Sequence, residues 1–568
     1  MKGSSRTPRH IAVSLETVGR EALVAALAGI ALAIGMTWPL TLHLGSDIGK
    51  DLGDPLLQAW QVSWIGHALL ERPLDLWQAN TFWPNVDTLA FSDALVGYAP
   101  AGLVAQQSPH AALVVYNLLF LGAYGLAFLG AYLLGRELGL GKLGAVAAGV
   151  AFAYAPWKLA QNGHLHVLSS GGIPLTLFLL VRGYRRRSAW LVLAGWLVAA
   201  WQMTLGFTLG LQFAYLLAVL GVIAVVAVAV GAVPIPERRI FVATAVGVLV
   251  FSVAAVLMAR PYLRVIDEHP EARRTPAYVE SFSPQLRSFL AAPAQSWLWA
   301  GPSLRARAPL AAPDEMSLFS GLAISLLALL GVLGPVFTRR LRIGIAVGVV
   351  VCAALSLGVR DVSGLDRYLT PYRFLFDFAP GWDGVRTPGR INTLTSLGLA
   401  LLAGAGLCVF VRFVRDRTGA RTVATVVGVG LAAAILVEGL GPLSHPRVSA
   451  PPPAIRRATA PQLHLPAGFH DDLVYSYWST LGYPETVNGA GGFDPAEYDR
   501  LRKMVRAFPD ARSVAALREL GVQSVILHPD RAQGTPWEGA ADRPIAALPL
   551  EREFRDGVVL FQLEPRRP

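Results

Sequence analysis

Apolar residues run along this chain in long blocks separated by short polar stretches. A helix crossing the hydrocarbon core of a bilayer needs about 20 apolar residues. Blocks that approach or reach this length lie at 22–42, 111–134, 143–160, 165–181, 189–203, 205–232, 240–258, 317–337, 343–357, 391–411 and 423–440. Residues 188–236 contain no Asp, Glu, Lys or Arg. As one helix that stretch would run about 73 Å, more than twice the hydrocarbon thickness, so it must turn back. Met203-Thr204-Leu205-Gly206 is where the pattern places the reversal. The first block is longer than a signal-peptide core and lacks a clear small-residue cleavage site, which predicts an uncleaved signal anchor. The pattern therefore predicts a mainly α, polytopic transmembrane bundle of about eleven spans over residues 1–441.

The polar stretches sort by charge. Lys2, Arg6, Arg9 and Arg20 precede the first block. Alternate connections then carry Arg136 and Lys142, Arg182 to Arg187, Arg238 and Arg239, Arg339 to Arg342, and Arg412 to Arg421. The short turns at 161–164 and 203–206 carry no Lys or Arg. Basic loops stay on the cytoplasmic side, so the N-terminus is expected inside. Three long connections, 45–110, 261–316 and 358–390, are then expected outside. Residues 442–461, rich in Pro and Ala, read as a linker. Beyond it, residues 462–568 regain charges of both signs and predict a small α/β domain on the outer face. Strands are expected at 473–477, 522–528 and 558–563, with helices at 495–507 and 511–520. No internal repeat stands out.

Composition agrees with lipid as the solvent. Of 568 residues, 54% are hydrophobic and 15% charged, and mean hydropathy is +0.47. The net charge of +11 raises the question of nucleic acid, but the basic residues cluster on the side facing anionic lipid, and nucleic acid is not expected as a partner. Cys352 and Cys408 lie in apolar runs with no metal or redox spacing.

The first outer loop is rich in candidate chemistry. It holds seven acids against two bases, with Asp47, Asp51 and Asp54 just past the first span and Ser92-Asp93 near its far end. Carboxylates at a membrane face can take a proton from a sugar hydroxyl or bind a divalent cation. An amphipathic, Trp-rich helix is expected at 56–70, with Trp60, Trp64 and Trp77 as interfacial anchors. His164 and His166, two apart at a helix start, suit a phosphate or a metal. Arg386 and Arg390 suit a phosphate held bidentately, although Arg390 also suits interfacial snorkelling. Walker, dinucleotide-binding, zincin and nucleophile-elbow motifs are missing, so redox cofactor chemistry has no support.

Several segments resemble bacterial membrane glycosyltransferases of the GT-C class. They are Gly53-Asp54-Pro55, Asn80-Thr81-Phe82-Trp83-Pro84, Gly163-His164-Leu165-His166 with Pro174-Leu175, Val385-Arg386-Thr387-Pro388-Gly389-Arg390, and Asn488-Gly489 with Gly492-Phe493-Asp494-Pro495. The layout matches over most of the chain, but an Asp-x-Asp is absent from the first loop. The resemblance implies an inverting enzyme that moves a sugar from a polyprenyl-phosphate donor to a glycan, lipid or protein acceptor on the outer face of the inner (plasma) membrane. It implies a first-loop carboxylate as base. Asp47, Asp51 and Asp54 all remain open, with Asp54 favoured because Gly53 and Pro55 fix its backbone. Asp267 or Glu268 is implied as a second acid. Arg386, Arg390, His164 and His166 are implied at the donor phosphate, and Asp54 with Asp267 at a divalent cation such as Mg or Mn. A lipid or glycan flippase and a non-catalytic envelope scaffold are the competing readings.

Overall fold

The computed structural model describes residues 15–564. The basic tail with Lys2, Arg6 and Arg9 lies outside them. Each apolar block becomes helix. The first is α1 (Leu15–Met36), followed in the first outer loop by α2 (Asp54–Glu71). The chain re-enters as α3 (Pro109–Leu138), started by Ser108, whose side chain caps Ala111 N–H, and stopped by Gly139 in the left-handed conformation. Next come α4 (Lys142–Tyr154), α5 (Gly172–Arg186), α6 (Ala189–Thr204), α7 (Phe207–Ala229) and α8 (Arg238–Glu268). The expected reversal falls where α6 gives way to α7, at Leu205 and Gly206. The bundle closes with α9 (Leu322–Leu333), α10 (Arg339–Ser356), α11 (Asn392–Thr418) and α12 (Arg421–Glu438).

Among the described residues seven helices are long and apolar enough to cross a membrane. An eighth span arises if α4 and the 3-10 segment Pro156–Gly163, bent by 43°, count as one. Helices α6 and α9 are shorter apolar helices. The core runs through α3, which packs on α1, α4 and α5, and through α11, which packs on α4, α9 and α10. Backbones meet closely where side chains vanish. A Cβ on Gly331 would run into the backbone of α11 at Leu402, and one on Gly406 into that of α9 at Leu327, the small-residue packing that membrane helices use.

Helix α2 is not the amphipathic surface helix expected at 56–70. Leu56 to Gly66 are all buried, with Trp60 at 2% and Trp64 at 0% exposure. Their indole N–H groups are taken up inside, by Asn80 Oδ1 at 3.0 Å and Leu76 O at 2.9 Å. The rest of the first loop, α3 and the C-terminal region pack around the first three turns of the helix, so Trp60 and Trp64 are core residues rather than anchors.

All four strands among the described residues lie at the C-terminal end: β1 (Gln462–Leu465), β2 (Ser524–Leu527), β3 (Leu550–Arg555) and β4 (Val558–Leu563). The sheet order is β1-β2-β4-β3, with β1 parallel to β2 and the other pairs antiparallel. The expected strands at 522–528 and 558–563 are present. Residues 473–477, expected as a strand, instead belong to helix α13 (Phe469–Trp478). Leu473 to Trp478 are all buried, and packing against α2 outweighs a β-type sequence. Helices α14 (Ala496–Met504) and α15 (Ala511–Leu520) match their sequence positions. The Pro/Ala-rich connection does not run free. Ser444 O and Pro446 O accept from Lys50 N and Ile48 N, and Val448 N donates to Ser46 O, which lays 444–448 alongside the start of the first outer loop.

Candidate active site

Asp54 is the first residue of α2, after the Gly53 cap and before Pro55. A carboxylate there faces the positive end of the helix. Its side chain is 35% exposed, with Oδ2 3.2 Å from His164 Nε2. Burial pushes its pKa up, but the hydrogen bond and charge of His164, then His166 and Arg390, bring it down to about 2.

His164 follows the 3-10 segment Pro156–Gly163, an irregular stretch between membrane helices. Such backbone at membrane depth is tolerated where protein or a polar cavity satisfies it. His164 Nδ1 lies 3.1 Å from Gln161 Oε1, and the Gln161 amide nitrogen donates to Asp314 O at 3.0 Å. His164 Nε2 stands between Asp54 and Glu315, 3.6 Å from Glu315 Oε1.

Glu315 lies within a single helical turn, Pro313–Met316. Arg390, on the 3-10 turn Pro388–Ile391 that leads into α11, grips it with Nη2 to Oε1 at 2.6 Å and Nε to Oε2 at 3.3 Å. Both residues are buried. Burial raises the Glu315 carboxyl, but Arg390 and His164 hold it well below its usual range. Arg390 Nη1 also donates to His166 Nε2 at 2.8 Å. Asp93 approaches the same His166 nitrogen, with Oδ2 3.8 Å from Nε2 and Oδ1 accepting from Thr208 N at 3.0 Å. Burial works to raise Asp93, yet His166, the Thr208 N–H and Arg390 hold it low. Gln58 ties the group to α2 through its side-chain oxygen, which accepts from Leu165 N at 2.7 Å.

Asp54, His164, His166 and Arg390 thus come together from three separate connecting segments. Asp93 and Glu315, which carried no role in the sequence reading, complete the group. The neighbouring first-loop acids have other work. Asp51 is exposed and its Oδ1 accepts from Gly53 N at 2.9 Å, shaping the turn into α2. Asp47 accepts from Ser46 Oγ and bridges backbone to backbone with Arg447. Asp267 and Glu268 are exposed at the end of α8, where Asp267 stands 3.9 Å from Arg273. Arg386 is half-buried over the Phe282 ring at 5.3 Å. Arg274 lies over Tyr278, also at 5.3 Å, and those two rings are 5.5 Å apart, edge to face. The pair of stacked guanidiniums was invisible in the sequence because 112 positions separate them.

A cavity of about 410 Å³ opens onto Asp54 and His164, a size typical of small-molecule sites. Lys50, Asp51 and Leu52 form its near wall, and Phe469, Asp471 and Arg531 of the C-terminal domain are on its outer wall. As for a cation, Glu315 is occupied by Arg390 and the Asp54 oxygen by His164. Among the described residues, the trio of metal-capable side chains whose ligand atoms lie within 4.8 Å of one another is His269, Glu271 and Glu497, outside this group.

No family profile and no curated protein matches the sequence. Solved structures do match the fold. The arabinofuranosyltransferase AftD from Mycobacteria superposes with a TM-score of 0.57 at 15% identity, over 96% of this chain and 40% of that one. The Archaeoglobus fulgidus oligosaccharyltransferase superposes with a TM-score of 0.50 at 14% identity, over 89% of this chain and 69% of that one. The chain therefore spans well under half the length of the mycobacterial enzyme. It shares the architecture of GT-C membrane glycosyltransferases.

Proposed function

We propose that this protein is an integral membrane glycosyltransferase that moves a sugar from a polyprenyl-phosphate donor to an acceptor on the outer face, with inversion, and that Asp54 is the base. The carrying observation is Asp54 itself: an ionised carboxylate at a helix start, open to a cavity and flanked by His164. Asp54 takes the proton of the acceptor hydroxyl as its oxygen attacks the anomeric carbon, and the lipid phosphate leaves with the bonding electrons. A direct displacement of this kind inverts the sugar. Arg386, with Arg274 beside it, holds the phosphate bidentately. Arg390 is already committed to Glu315 and His166; it fixes the two histidines and the charge around Asp54. Asp93 balances the Arg390 charge at the His166 Nε2 edge.

Of the pair expected at a Mg or Mn ion, Asp267 is exposed beside Arg273, and Asp54 would have for it only the carboxylate oxygen that does not face His164. A divalent cation there would neutralise charge developing on the leaving phosphate. The charge pattern of the loops supports a cytoplasmic N-terminus, eleven spans and an outer C-terminal domain.

The test is a transfer assay on purified protein in nanodiscs with a panel of labelled polyprenyl-phosphate sugars. Wild type is expected to release sugar, and Asp54→Asn to lose about 10²–10⁴ of the rate. Equal rates would remove Asp54 from the mechanism. Movement of donor between leaflets without sugar release would point to a flippase instead.

A further inference from the structure

The outer wall of the cavity above Asp54 is not used by any step so far. Its face belongs to the N-terminal turn of α13 and to the segment after β2. Phe469 is 43% exposed there. Asp471 Oδ1 accepts from Arg531 Nη1 at 2.9 Å, and the Arg531 guanidinium also lies over the Trp478 ring at 5.2 Å. The two charged side chains are 28% and 22% exposed. They are therefore held in place yet still reachable from the cavity.

This combination selects a kind of ligand. A clamped carboxylate–guanidinium pair presents fixed acceptors beside fixed donors, which is what two neighbouring hydroxyls on a ring can pair with. An exposed aromatic ring beside it offers an apolar face to the C–H side of the same ring. The cavity does not suit an acyl chain, because polar and ionisable side chains contribute much of its lining. Nor does it favour a strongly charged headgroup or peptide. Lys50 and Arg531 stand against Asp51, Asp54 and Asp471, so the charges nearly cancel and no strong field of one sign develops.

We propose that the acceptor is a neutral glycan, its terminal sugar stacked on Phe469 and hydrogen-bonded by Asp471 and Arg531, with one hydroxyl delivered to Asp54. This deepens, and rests on, the glycosyltransferase reading. In the transfer step that hydroxyl oxygen bonds to the donor's anomeric carbon and its proton passes to the Asp54 carboxylate. The bond from anomeric carbon to phosphate oxygen breaks, and its electrons stay on the phosphate.

The test separates acceptor recognition from chemistry. The full-length Asp54→Asn protein in nanodiscs, with no donor present, is probed by saturation-transfer NMR with short neutral arabino-, manno- and gluco-oligosaccharides. At least one series is expected to bind. Adding Phe469→Ala or Arg531→Met should weaken it at least tenfold, equivalent to about 1.4 kcal/mol, while thermal unfolding stays within a few degrees. In otherwise wild-type protein the same changes should raise the acceptor KM far more than they lower kcat. Failure of every neutral oligosaccharide to bind would overturn the proposal, as would binding indifferent to both changes. Preferential binding of phosphatidylinositol vesicles or an acidic peptide would overturn it as well. The enzyme reading itself fails separately, through absence of sugar release from any donor by wild type.

Discussion

Asp54 was legible because Gly53 and Pro55 frame it, a local signal that needs no partner. Asp93 and Glu315 were not, because each is a lone acid whose meaning comes from Arg390 and the histidines, which lie far away in sequence. Arg390 read equally well as a snorkelling side chain; only the folded chain shows it buried against Glu315. Breaking a buried ion pair leaves one charge uncompensated, at a cost of about 3–5 kcal/mol. Arg390→Met is therefore expected to lower the unfolding midpoint strongly, and Arg390→Met with Glu315→Gln to lower it less, as measured by thermal unfolding in detergent. Asp472 allows a second expectation. It is fully buried, accepts from Tyr498 Oη at 2.6 Å and Asn488 Nδ2 at 2.8 Å, and burial lifts its pKa to about 7 against those hydrogen bonds. A carboxyl raised on folding supports the fold most fully below its unfolded pKa, about 3.9. That support is lost as pH rises through about 7. The unfolding midpoint should fall between pH 5 and 8 in wild type, and Asp472→Asn should flatten that part of the profile. An unchanged slope would assign the loss to other groups.

At the scale of elements, the long apolar helices were readable and the packed ones were not. Hydrophobic length alone locates α3, α7, α8 and α11, since lipid demands it. Helix α2 misled because a row of tryptophans near a membrane reads as an anchor, whereas coverage by α13 and α3 makes it core. Residues 473–477 misled for the same reason: the sequence carries a β-type local preference, and burial on α2 overrides it. The two readings of Trp60 predict different energies. Trp60→Ala should destabilise by about 3–5 kcal/mol if the indole fills the core. Replacing Trp190, 70% exposed, should cost under about 1 kcal/mol. Similar losses at both positions would return Trp60 to the surface. Glu438, the last residue of α12, accepts from Leu322 N and Ala323 N at 2.9 Å and so caps the start of α9 from a neighbouring helix.

Over the whole molecule, the sequence showed how many apolar blocks there are, which faces their connections favour, and that a sheet follows the bundle. It could not show that three connecting segments converge on Asp54, since that depends on which helices touch. Orientation is testable directly. A single cysteine at Glu553, on strand β3, should react with a membrane-impermeant maleimide in intact cells, and one at Arg340, in a basic connection, only after lysis. The opposite pattern would invert the topology.

The strip at 444–448 lies edge to edge with 46–50, four residues ahead of Asp54. The tether that carries the C-terminal region is thereby also a splint for the loop that carries Asp54. Deleting residues 462–568 removes a wall of the cavity but leaves the splint; a deletion that begins before residue 444 removes both, and the loop carrying Asp54 loses its alignment. A truncation after residue 448 keeps this strip and a truncation before residue 444 loses it, so only the second is expected to free the loop at 46–50 from its partner strand.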